Sequence, residues 1–163
     1  MKHALKITPS GDRDLVMTRA FDAPRKLVYD AHTKPELVRQ WLLGPPGWTM
    51  PVCEMDVRVG GTYRWEWKSE RDGTTMGMGG VYREVKAPER LVSTEKFDEA
   101  WYPGESLNTL VLTEKGGRTT LTQTMRYESA AAREAVIKSG MEKGVAVSYD
   151  RLEDVLATAT TTR

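Results

Sequence analysis

Apolar and polar residues alternate along Asp14–Phe21 (DLVMTRAF), with Leu15, Met17 and Phe21 on one side and Arg19 as the odd polar member, which predicts a first strand. Before it, residues 1–13 are polar, contain Pro9 and Gly11, and read as a flexible leader. After it the period changes. Asp22 stands as a helix N-cap ahead of Pro24, and Arg25 to His32 reads as a short helix with Leu27, Val28 and Ala31 inward. Thr33 is the predicted cap of a second short helix, Pro35 to Leu42, whose apolar stripe is Leu37, Val38 and Trp41. Gly44-Pro45-Pro46-Gly47 ends it.

Six further strands follow. Met50 to Val59 alternates with Cys53, Met55, Val57 and Val59 on one face, and Gly60-Gly61 breaks it. Thr62 to Lys68 puts Tyr63, Trp65 and Trp67 opposite Arg64, Glu66 and Lys68, and Arg71-Asp72-Gly73 is a hairpin turn. The other strands are Thr74 to Val85, Leu91 to Phe97, Leu107 to Thr113 and Thr119 to Tyr127. Behind Ser129, a predicted N-cap, Ile137, Met141, Val145, Tyr149, Leu152 and Leu156 recur at helical spacing, which predicts one helix from Ala130 to about Ala157, roughly 40 Å long. Gly140 and Gly144 interrupt it and permit close approach or a bend.

Strands with one apolar face need a cover, and the long amphipathic helix is the only element large enough to provide it. The predicted class is therefore α+β of the helix-grip type. A curved antiparallel sheet of about seven strands wraps a long C-terminal helix, with two short helices after the first strand, in one domain over residues 14–158 and with a frayed tail over 159–163.

Composition narrows the function classes. A chain of 163 residues with net charge +1 lacks the basic excess of a nucleic-acid binder or a polybasic membrane binder. No apolar run approaches the roughly 18 residues of a membrane-inserted helix. One cysteine, Cys53, and no secretory leader suggest a reducing, cytoplasmic setting. Phenylalanine is scarce (2) while Trp (5) and Met (8) are abundant, and both of the latter suit the wall of a cavity as well as a core.

The usual reactive constellations are missing. His3 and His32 are the only histidines, so neither a metal nor a cofactor is expected, and His32 reads as a surface or cap residue. Cys53, on an inward face beside Met55, reads as an inert buried thiol. The glycines of Met76-Gly-Met-Gly-Gly80 lack the Lys-Ser/Thr ending of a phosphate loop. Three polar residues stand on apolar strand faces: Arg19, Glu95 and Gln123. They pair with one another, point to a cavity mouth, or anchor a ligand. The candidate wall comprises Cys53, Met55, Trp65, Trp67, Met76, Met78 and Met125 on strands, facing Met141, Val145 and Tyr149 on the helix. Trp48, Trp101 and Tyr102 lie on loops, where they can line an opening or meet a partner.

Several local strings, in order, resemble the bacterial AHSA1-like proteins, relatives of the activator of Hsp90 ATPase within the SRPBCC/START-like (Bet v 1-like) superfamily. They are Arg19-Ala-Phe-Asp-Ala-Pro24, Val28 with Ala31, Pro35-Glu36 with Trp41, Gly44-Pro45, Asp56-Val-Arg-Val-Gly-Gly61, Pro88-Glu-Arg-Leu91, and Gly140-Met-Glu-Lys-Gly144 leading to Asp150-Arg-Leu. The resemblance spans about Leu15 to Leu156 and implies the helix-grip fold and an internal cavity. It also exposes a departure: relatives commonly carry a large aromatic after the second helix glycine, where this chain has Val145. Lost volume there either widens a cavity or is filled by Trp65, Trp67 or Tyr149.

Three functions are compatible with these residues. The first is a binding protein, monomer or homodimer, for a hydrophobic or amphipathic small molecule, lipid- or polyketide-like. The second is a cyclase- or hydrolase-type enzyme using Glu95, Gln123 or Tyr127 in the same cavity. The third is a chaperone or stress-response module with a protein partner, presenting Trp48, Trp101 and Tyr102. The absence of reactive constellations favours binding over catalysis.

Overall fold

The structure is a computed structural model and describes residues 3–99 and 104–161. Its centre is one antiparallel sheet of eight strands: β1 (Lys6–Ser10), β2 (Asp14–Phe21), β3 (Trp48–Met55), β4 (Thr62–Ser69), β5 (Thr75–Lys86), β6 (Arg90–Phe97), β7 (Ser106–Lys115) and β8 (Arg118–Arg126). The spatial order is β1-β2-β8-β7-β6-β5-β4-β3, so β2 pairs across the sheet with β8 and the rest is a meander. Helices α1 (Arg25–Thr33) and α2 (Pro35–Trp41) fill the connection between β2 and β3, and α3 (Ala130–Lys138) and α4 (Met141–Thr161) close the chain.

The sheet grips α4. Tyr149, Leu152 and Leu156 share one buried cluster with Phe21 of β2, Leu112 of β7, Leu121 of β8, and Val28 and Trp41 of α1 and α2. Leu121, Leu152 and Leu156 are at most 2% exposed, and each such side chain contributes about 1.5–3 kcal/mol by leaving water. Among the described residues, no helix is long and apolar enough to cross a membrane.

Four local expectations need correction. Residues 6–10 are an added edge strand on β2, where the pattern predicts a loose leader. β1 is largely exposed, and Pro9 is tolerated because an edge strand has one side free of ladder bonds. β3 stops at Met55, so Val59 is 66% exposed in the following turn rather than facing inward. A register shift lies between Thr49 and Val52, spanning Pro51.

The α1 and α2 caps also differ. Asp22 pairs with His3 and Arg118, and the Arg25 N–H donates instead to Glu114 of the β7–β8 hairpin at 2.7 Å. Thr33 donates back to the Tyr29 carbonyl within its own helix.

Finally, the predicted single C-terminal helix is two. Gly140 takes φ +75°, the left-handed conformation that ends a helix cheaply only at glycine, and α4 restarts at Met141 and continues to Thr161. Ser129 does cap α3, its Oγ accepting from Ala132 N–H at 3.0 Å.

Candidate functional site

Between the N-terminal half of α4 and the concave face of the sheet lies a cavity of about 520 Å³. Its wall follows from strand alternation and register. Trp65 stands opposite Met78 and Trp67 opposite Met76 on the β4–β5 pair, so rings and thioethers tile one surface. Tyr63 and Tyr82 continue that surface toward β6, with ring centroids 5.3 Å apart. Leu91, Ser93, Glu95 and Phe97 come from β6, Asn108 and Leu110 from β7, and Gln123 and Met125 from β8. Val136 of α3 and Met141, Val145 and Tyr149 of α4 form the roof.

The rim is made by the segment after α2. Gly44 is held from both of its peptide groups by α4: its N–H donates to Ser148 Oγ at 2.9 Å, and its carbonyl accepts from Arg151 at 2.7 Å. Gly144 faces this segment, where an added Cβ would lie 3.4 Å from Pro45 Cδ, an ordinary contact distance. Trp67 is fixed beside the rim by donating Nε1–H to the Leu42 carbonyl at 2.8 Å.

The polar groups of the wall are few and distinct. Glu95 is half-buried in an apolar setting, and among the described residues its side-chain hydrogen bond is from Asn108 Nδ2 to Oε2 at 2.7 Å. Desolvation raises its carboxyl pKa to about 7, with the Asn108 bond opposing the rise. His32 donates Nδ1–H to the Val28 carbonyl at 2.8 Å, which leaves Nε2 as an unpartnered buried acceptor. Burial lowers its pKa to about 4, so the ring is neutral at neutral pH. Trp41 lies edge-on to His32 at 4.9 Å and stacks on Tyr149 at 5.8 Å. Trp65 Nε1–H is buried without an acceptor. Burial also pushes the Tyr82 and Tyr149 phenols up, so both remain protonated donors.

The residues singled out in the sequence fall into three groups. Trp48, Trp65, Trp67, Met76, Met78, Glu95, Gln123, Met125, Met141, Val145 and Tyr149 all line the cavity. Cys53 and Met55 do not. Cys53 is buried with Val38 and Met50 beneath α2, its Sγ 3.8 Å from the Pro35 carbonyl and 3.9 Å from Met55 Sδ, and burial pushes its thiol pKa up. Trp101, with Tyr102, lies outside the described residues.

Arg19, Glu95 and Gln123 do not pair with one another. Arg19 is 2% exposed outside the cavity wall, 3.2 Å from Asp150 and 3.9 Å from Glu153 on α4, with its guanidinium 4.9 Å from the Phe21 ring. His32 is a wall residue rather than a surface one.

Sequence reasoning missed Asn108, Tyr82 and Ser93. Asn108 stands opposite Ser93, so the two polar residues form a cross-strand pair on a face otherwise occupied by Leu91 and Leu110. That pairing carries no signal until the register is known.

Outside the cavity, His3, Asp22 and Glu153 bring ligand-type atoms within 4.8 Å of one another. Arg118 already bonds Asp22 and Arg19 approaches Glu153, so positive charge is supplied there by arginine.

Comparison with known proteins agrees with this architecture. The family model described as activator of Hsp90 ATPase homolog 1-like protein matches residues 22–157. A solved Rhodobacter sphaeroides protein is 32% identical with a TM-score of 0.88, over 94% of this chain and 98% of its own. A Chromobacterium violaceum protein is 27% identical with a TM-score of 0.78, over 88% and 96%. An AHSA1-like protein from Aeromonas hydrophila, at 16% identity, shares the fold with a TM-score of 0.67 over 86% and 93%. No curated protein matches the sequence.

Proposed function

Because the chain belongs to the activator of Hsp90 ATPase homolog 1-like family, matched over residues 22–157, we propose that it binds an apolar or amphipathic small molecule in the cavity beneath α4. One observation carries this. The cavity, about 520 Å³, is walled chiefly by aromatic and thioether side chains and carries a few polar groups: Trp65 Nε1 and His32 Nε2, unpartnered among the described residues, and the Glu95 carboxyl, held by Asn108. Binding sites for small organic molecules have this make-up, with volumes of about 300–1,000 Å³. A solid core would instead satisfy those groups, since a buried unpaired donor or acceptor costs about 1–3 kcal/mol.

The test is a thermal-shift and native mass-spectrometry screen with lipids, flavonoids and polyketide-like aromatics. At least one class should raise Tm and appear as a one-to-one complex. Failure of every class would remove the reading.

Glu95 supports a second reading, an enzyme using the same cavity. A carboxyl group with a pKa near 7 is suited to general acid–base work at neutral pH. Turnover of a bound ligand, abolished in Glu95→Gln with binding retained, would establish it. Binding without turnover in wild type would leave a pure binder.

A further inference from the structure

The charge of the cavity is one-sided. Among the described residues, no arginine or lysine lines it, and Glu95 is its only carboxylate. Arg19, on the same side of the sheet, is occupied by Asp150 and Glu153 and stays outside the wall. The other titratable groups of the wall are the phenols Tyr63 on β4, Tyr82 on β5, Tyr127 just past β8 and Tyr149 on α4, together with the neutral imidazole of His32 on α1. None supplies positive charge. Trp65, Trp67, Tyr63 and Tyr82 line the cavity together, and aromatic rings attract cations over their faces.

No side chain of β5 covers Glu95. The β5–β6 register runs from Met78 opposite Phe97 to Tyr82 opposite Ser93, which puts Gly80 next to Glu95. A Cβ at Gly80 would lie 1.9 Å from the Thr94 carbonyl oxygen, so the close approach of β5 and β6 admits only glycine opposite Glu95. The carboxyl accepts from Asn108 through Oε2, and among the described residues no other side chain bonds it.

We infer that the preferred ligand is an apolar or aromatic molecule bearing one protonated amine, its ammonium seated on Glu95 and its body along Trp65 and Trp67. This rests on the small-molecule binding reading above and assigns it a ligand charge. An ammonium would complete Glu95 with the counter-charge the protein omits, and would gain from the ring faces. A carboxylate or phosphate would meet no cationic side chain of the described wall, and would face Glu95 as repulsion. A neutral alcohol can hydrogen-bond to the polar groups of the wall but brings no counter-charge to Glu95.

A matched trio tests this: 4-phenylbutylamine, 4-phenylbutanol and 4-phenylbutyrate, titrated calorimetrically into the full chain. The amine should bind at least tenfold more tightly than the alcohol at pH 7.5, and the acid most weakly. In Glu95→Gln, which can still accept from Asn108, the amine should fall to the level of the alcohol while the alcohol keeps its wild-type affinity.

A second readout is protonic. At pH 6 the free carboxyl is mostly protonated, since its pKa is about 7. Seating an ammonium ionises it, so the amine, and not the alcohol, should release protons, seen as a binding heat that depends on buffer ionisation enthalpy. Equal affinities for amine and alcohol, or an amine preference that survives Glu95→Gln, would overturn the inference. So would a failure of all three probes when other apolar compounds bind, which leaves the binding function standing. Failure of every compound would remove both.

Discussion

Glu95 and His32 titrate in opposite senses on one cavity. Glu95 rises from 4.5 to about 7 in the folded chain. The fold therefore favours its neutral form, and the stability this brings is full below pH 4.5 and lost as pH climbs through 7. His32 falls from 6.5 to about 4, so its contribution is full above pH 6.5 and lost as pH drops through 4. Each shift corresponds to on the order of 3 kcal/mol, and between about pH 4.5 and 6.5 the two slopes nearly cancel.

Single variants should separate them in urea melts across pH. Relative to wild type, Glu95→Gln should gain stability progressively from pH 4.5 to 7, and His32→Asn should gain it as pH falls from 6.5 to 4. Curves parallel to wild type would show that neither group titrates as described.

At this scale the sequence was informative where a residue broke its own face. Glu95 and Gln123 stand out among Leu91, Phe97, Leu121 and Met125 without any structure. His32 does not, because what buries it is Trp41 from the next helix, a contact no local pattern encodes. Cys53 shows the converse: its strand alternation is right, but the apolar face at that point meets α2 rather than the cavity.

Among the elements, the sequence periodicity from Ala130 to Ala157 runs straight through Gly140, yet Ile137, the α3 member of that stripe, is 40% exposed and α3 buries Ala132 and Val136 instead. Only the backbone reveals the interruption. Gly140→Ala would place a Cβ at φ +75°, with nothing within 4 Å to clash, so its cost is conformational alone, about 1–2 kcal/mol. Urea unfolding should show that loss, and ligand affinity should fall too, since Ser139, Gly140 and Met141 are on the cavity lining. Ser129→Ala should cost about 1 kcal/mol by removing the α3 cap, without changing affinity.

β1 was illegible for a different reason. An exposed five-residue edge strand buries too little to need alternation, and its identity comes from β2, which supplies the ladder.

For the whole molecule, class and element order were legible from pattern and from the family strings, because a sheet with one apolar face and a single long amphipathic helix admit few arrangements. The volume between them was not legible. It depends on how far α4 stands off the sheet, and there Val145 on the roof is the residue whose size matters most. Val145→Trp should fill part of the cavity from its roof. The variant is expected to keep its far-UV circular dichroism and to lose at least tenfold in affinity for any ligand that binds wild type. Unchanged affinity would show that ligands do not use the space beneath α4.

An internal space of about 520 Å³ also makes this fold sensitive to pressure. Unfolding admits water to that space, and the volume decrease on unfolding grows with the void eliminated. High hydrostatic pressure should therefore unfold the empty protein at a lower midpoint than either its ligand-filled form or the Val145→Trp variant.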